Sequence, residues 1–177
     1  MTVPSSSVVL KNRIMSSIRG ALVADAASMG LHWIYDPAEL LQRAGSTASE
    51  PEFLNPPQPN FYNCNAFPQH YEAGMSSPYG ELLMHTTQHV ASVGTNLSGA
   101  TTAKALYTWA SSFRGRPDSA LTKFMENYKA NNKDWTECGA DDSQAMIYAK
   151  VVPVMCLYAG RPEREDKLAQ VIRVHQN

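Results

Sequence analysis

Cysteine is scarce in this chain. Cys64, Cys138 and Cys156 are an odd number at wide spacings, which suits neither a disulfide framework nor a zinc ligand set. Reduced thiols follow, with Cys156 read as plain core inside the apolar run 151–157. Long apolar runs are missing too, since every candidate is interrupted well before the roughly 20 residues that a bilayer span requires. The first seven residues lack a cationic start and an apolar stretch, so neither a secretory signal nor a transit peptide is expected. A soluble, cytoplasmic protein without a membrane partner is the default. An excess of one charge is also missing: 15 Lys and Arg stand against 16 Asp and Glu, for a net charge of -1. Nucleic-acid binding needs clustered cations, so no nucleic-acid partner is expected.

Several catalytic signatures are absent as well. There is no glycine-rich phosphate loop and no Gly-x-Ser-x-Gly elbow, which removes the kinase, dinucleotide and serine-hydrolase readings. Sustained alternation of apolar and polar residues does not occur either, so sheet is not expected beyond short stretches such as 151–154. No internal repeat of 20 to 50 residues is found.

What remains is helical. Ile14, Ile18, Leu22, Ala26 and Met29 recur at three and four, one face of an amphipathic helix over about 11–32 that carries Asp25. Asp36-Pro37 opens a short second helix. Prolines at 51, 56, 57, 59 and 68 then predict a long ordered loop at about 45–79, with Phe53, Phe61, Tyr62, Phe67 and Tyr71 packing onto the helices. Further helices are predicted over 80–93, 98–113, 117–130, 141–158 (interrupted by Pro153) and 162–176. At 177 residues with 44% apolar content, the chain is long enough for one all-α domain, 1–177, as a compact orthogonal multi-helix unit. The last helix is still apolar at Val171, Ile172 and Val174, and an architecture cut short at its C-terminus is the expectation.

Three groups of residues could carry chemistry. Asp25 lies among small and apolar neighbours, so its carboxylate needs a partner: a ligand in a cleft, a backbone amide or Arg19. Asp141 and Asp142 fall at a predicted helix start, where they would cap free amides or, with Ser143, bind a hard cation or sugar hydroxyls. His85 and His89 stand four apart and could share a metal, but no third ligand is placed near them. Trp33, Tyr35, Trp109, Trp135 and Tyr158 read mostly as core, with Trp33-Ile34-Tyr35 at a cleft edge.

The run Arg19-Gly20-Ala21-Leu22-Val23-Ala24-Asp25-Ala26-Ala27-Ser28-Met29-Gly30 resembles the opening Gly-Asp-Ala-x-Gly helix of the ADP-ribosylglycohydrolases. His70-Tyr71-Glu72-Ala73-Gly74 with Pro78-Tyr79-Gly80-Glu81 is similar to the next motif of the J-type crystallin, selenoprotein J-like branch. Gly139-Ala140-Asp141-Asp142-Ser143-Gln144, then Val152-Pro153 and Leu157-Tyr158-Ala159-Gly160, resembles the middle helix. The order and spacing agree over roughly 14–177.

That resemblance implies an all-α fold and magnesium-dependent hydrolysis of the glycosidic bond between ADP-ribose and its acceptor, with ADP-ribose or an ADP-ribosylated protein as partner. It places Asp25, Asp141 and Asp142 along a ligand cleft and Glu81 at the first metal-binding position. Where active members carry a Thr-Asp-Asp-Thr type motif, this chain has Tyr79-Gly80-Glu81-Leu82, a single carboxylate. The late metal-binding aspartates fall beyond position 177. The expectation is a hydrolase-like protein that does not turn over as this chain, the alternative being a structural, crystallin-like protein.

Overall fold

The computed structural model describes residues 6–45, 53–56, 62, 66–143 and 145–176; Phe61, Cys64 and Gln144 lie outside them. Seven α-helices follow in order: α1 (Ser6–Ser28), α2 (Pro37–Ala44), α3 (Pro78–Val93), α4 (Gly99–Ser112), α5 (Ser119–Ala130), α6 (Tyr148–Leu157) and α7 (Arg164–His175). Among the described residues the only extended pairing is an isolated parallel bridge between Ala140 and Gln176. The fold is all-α.

Local chemistry sets most of the helix starts. The Asp36 carboxylate accepts from the Ala38 amide at 2.7 Å, with Pro37 in the first helical position of α2. Ser98 and Thr101 form a reciprocal capping box at α4, and Asp118 accepts from the Leu121 amide at 2.7 Å at α5. Each such cap satisfies an amide that the first turn leaves open and is worth about 1 kcal/mol.

Two expectations need correction. The helix predicted from Asp141 starts only at Tyr148, its N-cap position is Ile147, and no side chain caps it. Asp141 and Asp142 therefore cap nothing there. The reason is tertiary: the Ala140 amide donates to the His175 carbonyl at 2.9 Å, and Gln176 Nε2 donates to the Asp142 carbonyl at 2.8 Å. Those bonds to the end of α7 hold the segment extended in place of a first helical turn. Pro153 lies inside α6 and does not split it.

α3 packs against α1, α4 and α6, and α7 closes on α4, α5 and α6. The main core gathers Leu82, Leu106, Leu121, Phe124, Met146 and Val174, each side chain of this size contributing about 1.5–3 kcal/mol by burial. A second cluster joins Val90, Val154, Tyr158 and Val171. The third lies under the long loop, where Met29, Tyr62 and Tyr71 are buried against Trp33 and Tyr79. Lys150 and His175 are buried as well, at 1% and 0% exposure.

Candidate functional site

The third cluster floors a cleft of about 460 Å3 lined by Asp25, His32, Trp33, Tyr35, Tyr62, Tyr79 and Ala145. Asp25 comes from the last turns of α1 and meets the N-terminus of α3. The Ser77 hydroxyl donates to one carboxylate oxygen at 2.5 Å and the Ser77 amide donates to the other at 2.8 Å. The same hydroxyl accepts from the Tyr79 amide at 3.1 Å. Asp25 thus sits at the positive end of α3, where charge-assisted bonds and the helix dipole both favour a carboxylate. Its expected partner is a backbone amide plus a serine; Arg19 is not needed. The contact is so close that a Cβ on Gly80 would fall 2.2 Å from an Asp25 oxygen.

Glu81, in the first turn of α3, accepts from the Tyr71 hydroxyl at 2.9 Å. Burial raises its pKa, the Tyr71 bond works against that rise, and the charge of Asp25 adds to it. Burial likewise raises the Tyr71 and Tyr62 phenols, which stay protonated. His32 bridges Ser28 and Tyr62, with both nitrogens at 3.0 Å from a hydroxyl. Because Ser28 spends its own proton on the Asp25 carbonyl at 3.1 Å, the bond count puts the ring proton on Nε2 and leaves Nδ1 to accept from Tyr62. Burial lowers the His32 pKa, opposed by Asp25, so the ring is neutral at physiological pH.

The aromatic walls meet at steep angles. Trp33 lies at 82° to Tyr35 and 83° to Tyr62, and His32 at 87° to Tyr79. Trp33 holds φ of +65°, a left-handed backbone that a bulky residue adopts only when its surroundings impose it.

The four acids singled out in the sequence divide into two pairs. Asp25 and Glu81 stand together at the start of α3. Asp141 and Asp142 line a different cleft of about 540 Å3 with Asp118, Ser119, Lys123 and Glu126, and the Ser119 hydroxyl donates to Asp142 at 2.5 Å. The two clefts are neighbours, since Tyr79 senses the charges of both Asp118 and Asp25. His85 and His89 line neither. They border a groove between α3 and α4, where His85 stacks on Trp109 at 5.1 Å and burial, with the His89 and Lys150 charges, pushes its pKa down to about 4.

Magnesium asks for near-octahedral oxygen ligation. Both oxygens of Asp25 are bonded to Ser77 and one of Glu81 to Tyr71. Among the described residues, no three His, Cys, Asp or Glu side chains converge on a metal-sized space. The described residues do not fit a dinuclear magnesium centre.

Sequence reading missed Ser77 and the part that His32 and Tyr79 play. Ser77-Pro78 is itself a cap-plus-proline signature of a helix start and could have been found; the predicted helix began instead at Gly80.

The chain is 29% identical over 194 residues to crystallin J1A of Tripedalia cystophora and 28% identical to crystallin J1B of the same animal, in both cases over 97% of this chain and 54% of the relative. It thus spans about half the length of the curated relatives it matches. No solved structure matches the chain, and no described helix is long and apolar enough to cross a membrane. The model of one family covers residues 6–176, a span that holds α1, the Asp25–Ser77 clamp and both acid pairs: the chain belongs to the ADP-ribosylglycohydrolase family.

Proposed function

We propose that the cleft at Asp25 is the ligand-binding face of a glycohydrolase-type protein, and that this chain of 177 residues binds an ADP-ribose-type ligand there without hydrolysing it. The observation that carries the reading is the clamp at the start of α3. It sets Asp25 on an aromatic cleft, with Glu81 near enough to feel its charge, within a chain of the ADP-ribosylglycohydrolase family. Aromatic faces suit the adenine and ribose rings, and a raised Glu81 suits a proton carrier in glycosidic chemistry. The described acids do not assemble a metal centre.

Calorimetric titration of the chain with ADP-ribose, with and without magnesium, tests the binding half. A release assay on ADP-ribosylated protein tests the catalytic half. Binding without turnover is expected. Efficient magnesium-dependent release by these 177 residues would refute the second half, and a folded chain that ignores millimolar ADP-ribose would refute the first.

A second reading is favoured by how the acids are used. Asp25 and Glu81 work as brackets between α1, α3 and the loop, which supports a structural role for a chain similar to proteins named crystallins. It is the reading that remains if no ligand binds.

A further inference from the structure

The Asp25 cleft carries a chemistry that an ADP-ribose reading alone does not use. Of its described lining residues, Asp25 is the one with a formal charge, and there is no Lys or Arg among them. His32 is neutral, and Glu81 lies close enough to Asp25 to feel its charge. The electrostatics beside Asp25 therefore favour a cationic group on the ligand.

The ring geometry points the same way. An aromatic ring presents its negative face to a cation within about 6 Å of its centroid. Here Trp33 is perpendicular to both Tyr35 and Tyr62, and His32 is perpendicular to Tyr79. Rings that meet at right angles offer faces from different directions, as the sides of a box do, where parallel rings would make a slot for one flat ligand. The left-handed backbone at Trp33 is a local strain consistent with holding one of those rings in place.

We propose that the Asp25 cleft is an aromatic cage for a compact organic cation, a quaternary or methylated ammonium head group. This rests on the reading of that cleft as the ligand-binding face, and it names the class of ligand group received there. A guanidinium would seek two carboxylate oxygens in a planar fork. Ser77 already makes a two-point contact with both Asp25 oxygens, so that fork is taken and Asp25 contributes mainly its charge, which suits a quaternary ion that donates no hydrogen bonds. At about 460 Å3, the cleft also has room for the molecule or side chain that carries the head group.

The test uses the whole chain in EDTA, with choline as the probe and 3,3-dimethylbutan-1-ol as its uncharged counterpart of the same shape. Calorimetry or ligand-detected NMR is expected to show choline binding at about millimolar strength and about tenfold tighter than the alcohol. Tyr35→Leu keeps an apolar side chain but removes the ring at a position 82% exposed, so folding is spared. It is expected to weaken choline about threefold or more while leaving the alcohol unchanged. Trp33→Ala is expected to weaken choline further, and Lys104→Ala, in the α3–α4 groove, to do nothing. Equal binding of choline and the alcohol would overturn the cage, as would no choline binding to a protein that still melts cooperatively. An ADP-ribose titration of the same sample reports separately on the function proposed above: its failure with choline bound refutes ADP-ribose recognition and leaves the cage, and the converse result refutes the cage alone.

Discussion

Replacing Lys150 by methionine should make this protein more stable, and the gain should shrink as the pH rises. The Lys150 side chain is 1% exposed in the first turn of α6, and its Nζ has no hydrogen-bond partner among the described residues. Burial pulls its pKa from the ordinary 10.5 down to about 7, against the weaker opposing pull of Cys138 and Asp118. The unfolded chain holds its proton up to pH 10.5, so stability rises with pH between about 7 and 10.5 and the full penalty is felt below 7. At about 1.36 kcal/mol per pH unit, the penalty is about 4 kcal/mol at pH 7 and about 2 kcal/mol at pH 9. Methionine fills similar volume without a charge, so the variant should be more stable by about 1–4 kcal/mol at pH 7, with an advantage about 2 kcal/mol smaller at pH 9. Urea unfolding of both proteins at pH 7, 8 and 9, read as a difference, cancels groups that titrate alike in the two. The points at pH 7 and 8 also lie below the window, opening near pH 9, in which Cys138, pushed up to about 11 by burial, works in the opposite direction. A variant less stable than the parent at pH 7, or a gap that does not change with pH, would show that the amine has a partner and refute the reasoning.

Gly80→Ala should destabilise by about 1–3 kcal/mol, because its Cβ would collide with Asp25 at 2.2 Å and with the Ser76 Cβ at 2.9 Å. Gly20→Ala, with nothing within 4 Å in α1, should be neutral or raise stability by up to about 1 kcal/mol; thermal melts in which the two behave alike would discard the clamp. Tyr71→Phe removes the donor that holds Glu81 ionised. Since a raised folded pKa favours the fold at low pH and loses that advantage as the carboxyl ionises, the variant should melt near the parent at about pH 4.5 and fall behind at about pH 7.5. The gap should be about 0.5–1 kcal/mol, limited by the partial exposure of Glu81, and a loss equal at both pH values would contradict it.

Much of the helical frame is legible in the sequence because its punctuation is local. Asp36-Pro37 and the serine and threonine at 98 and 101 act within four residues of themselves, and those helices start where the pattern says. Residues 141–143 are different. Their local sequence is adequate for a helix, but bonds from residues 140 and 176 hold them extended, and nothing within a window of ten or so residues signals a partner more than thirty positions away. Lys150 illustrates the same limit. A lysine in an apolar helix reads as a solvated face, and only the packing of α3 and α7 around α6 buries it.

The site follows this rule with one instructive exception. A lone carboxylate among alanines and valines announced that Asp25 required a partner, though not that the partner lay 52 residues on. That partner decides what the carboxylate can do. With the Ser77 hydroxyl and amide on its two oxygens, Asp25 fixes the start of α3 and thereby the position of Glu81. One clamp therefore explains why Gly80 has to be small and why the carboxylate beside the aromatic cleft keeps its place. Asp141 and Asp142, which look equivalent to Asp25 in the sequence, do not share this role because the chain end at α7 holds them along a neighbouring cleft.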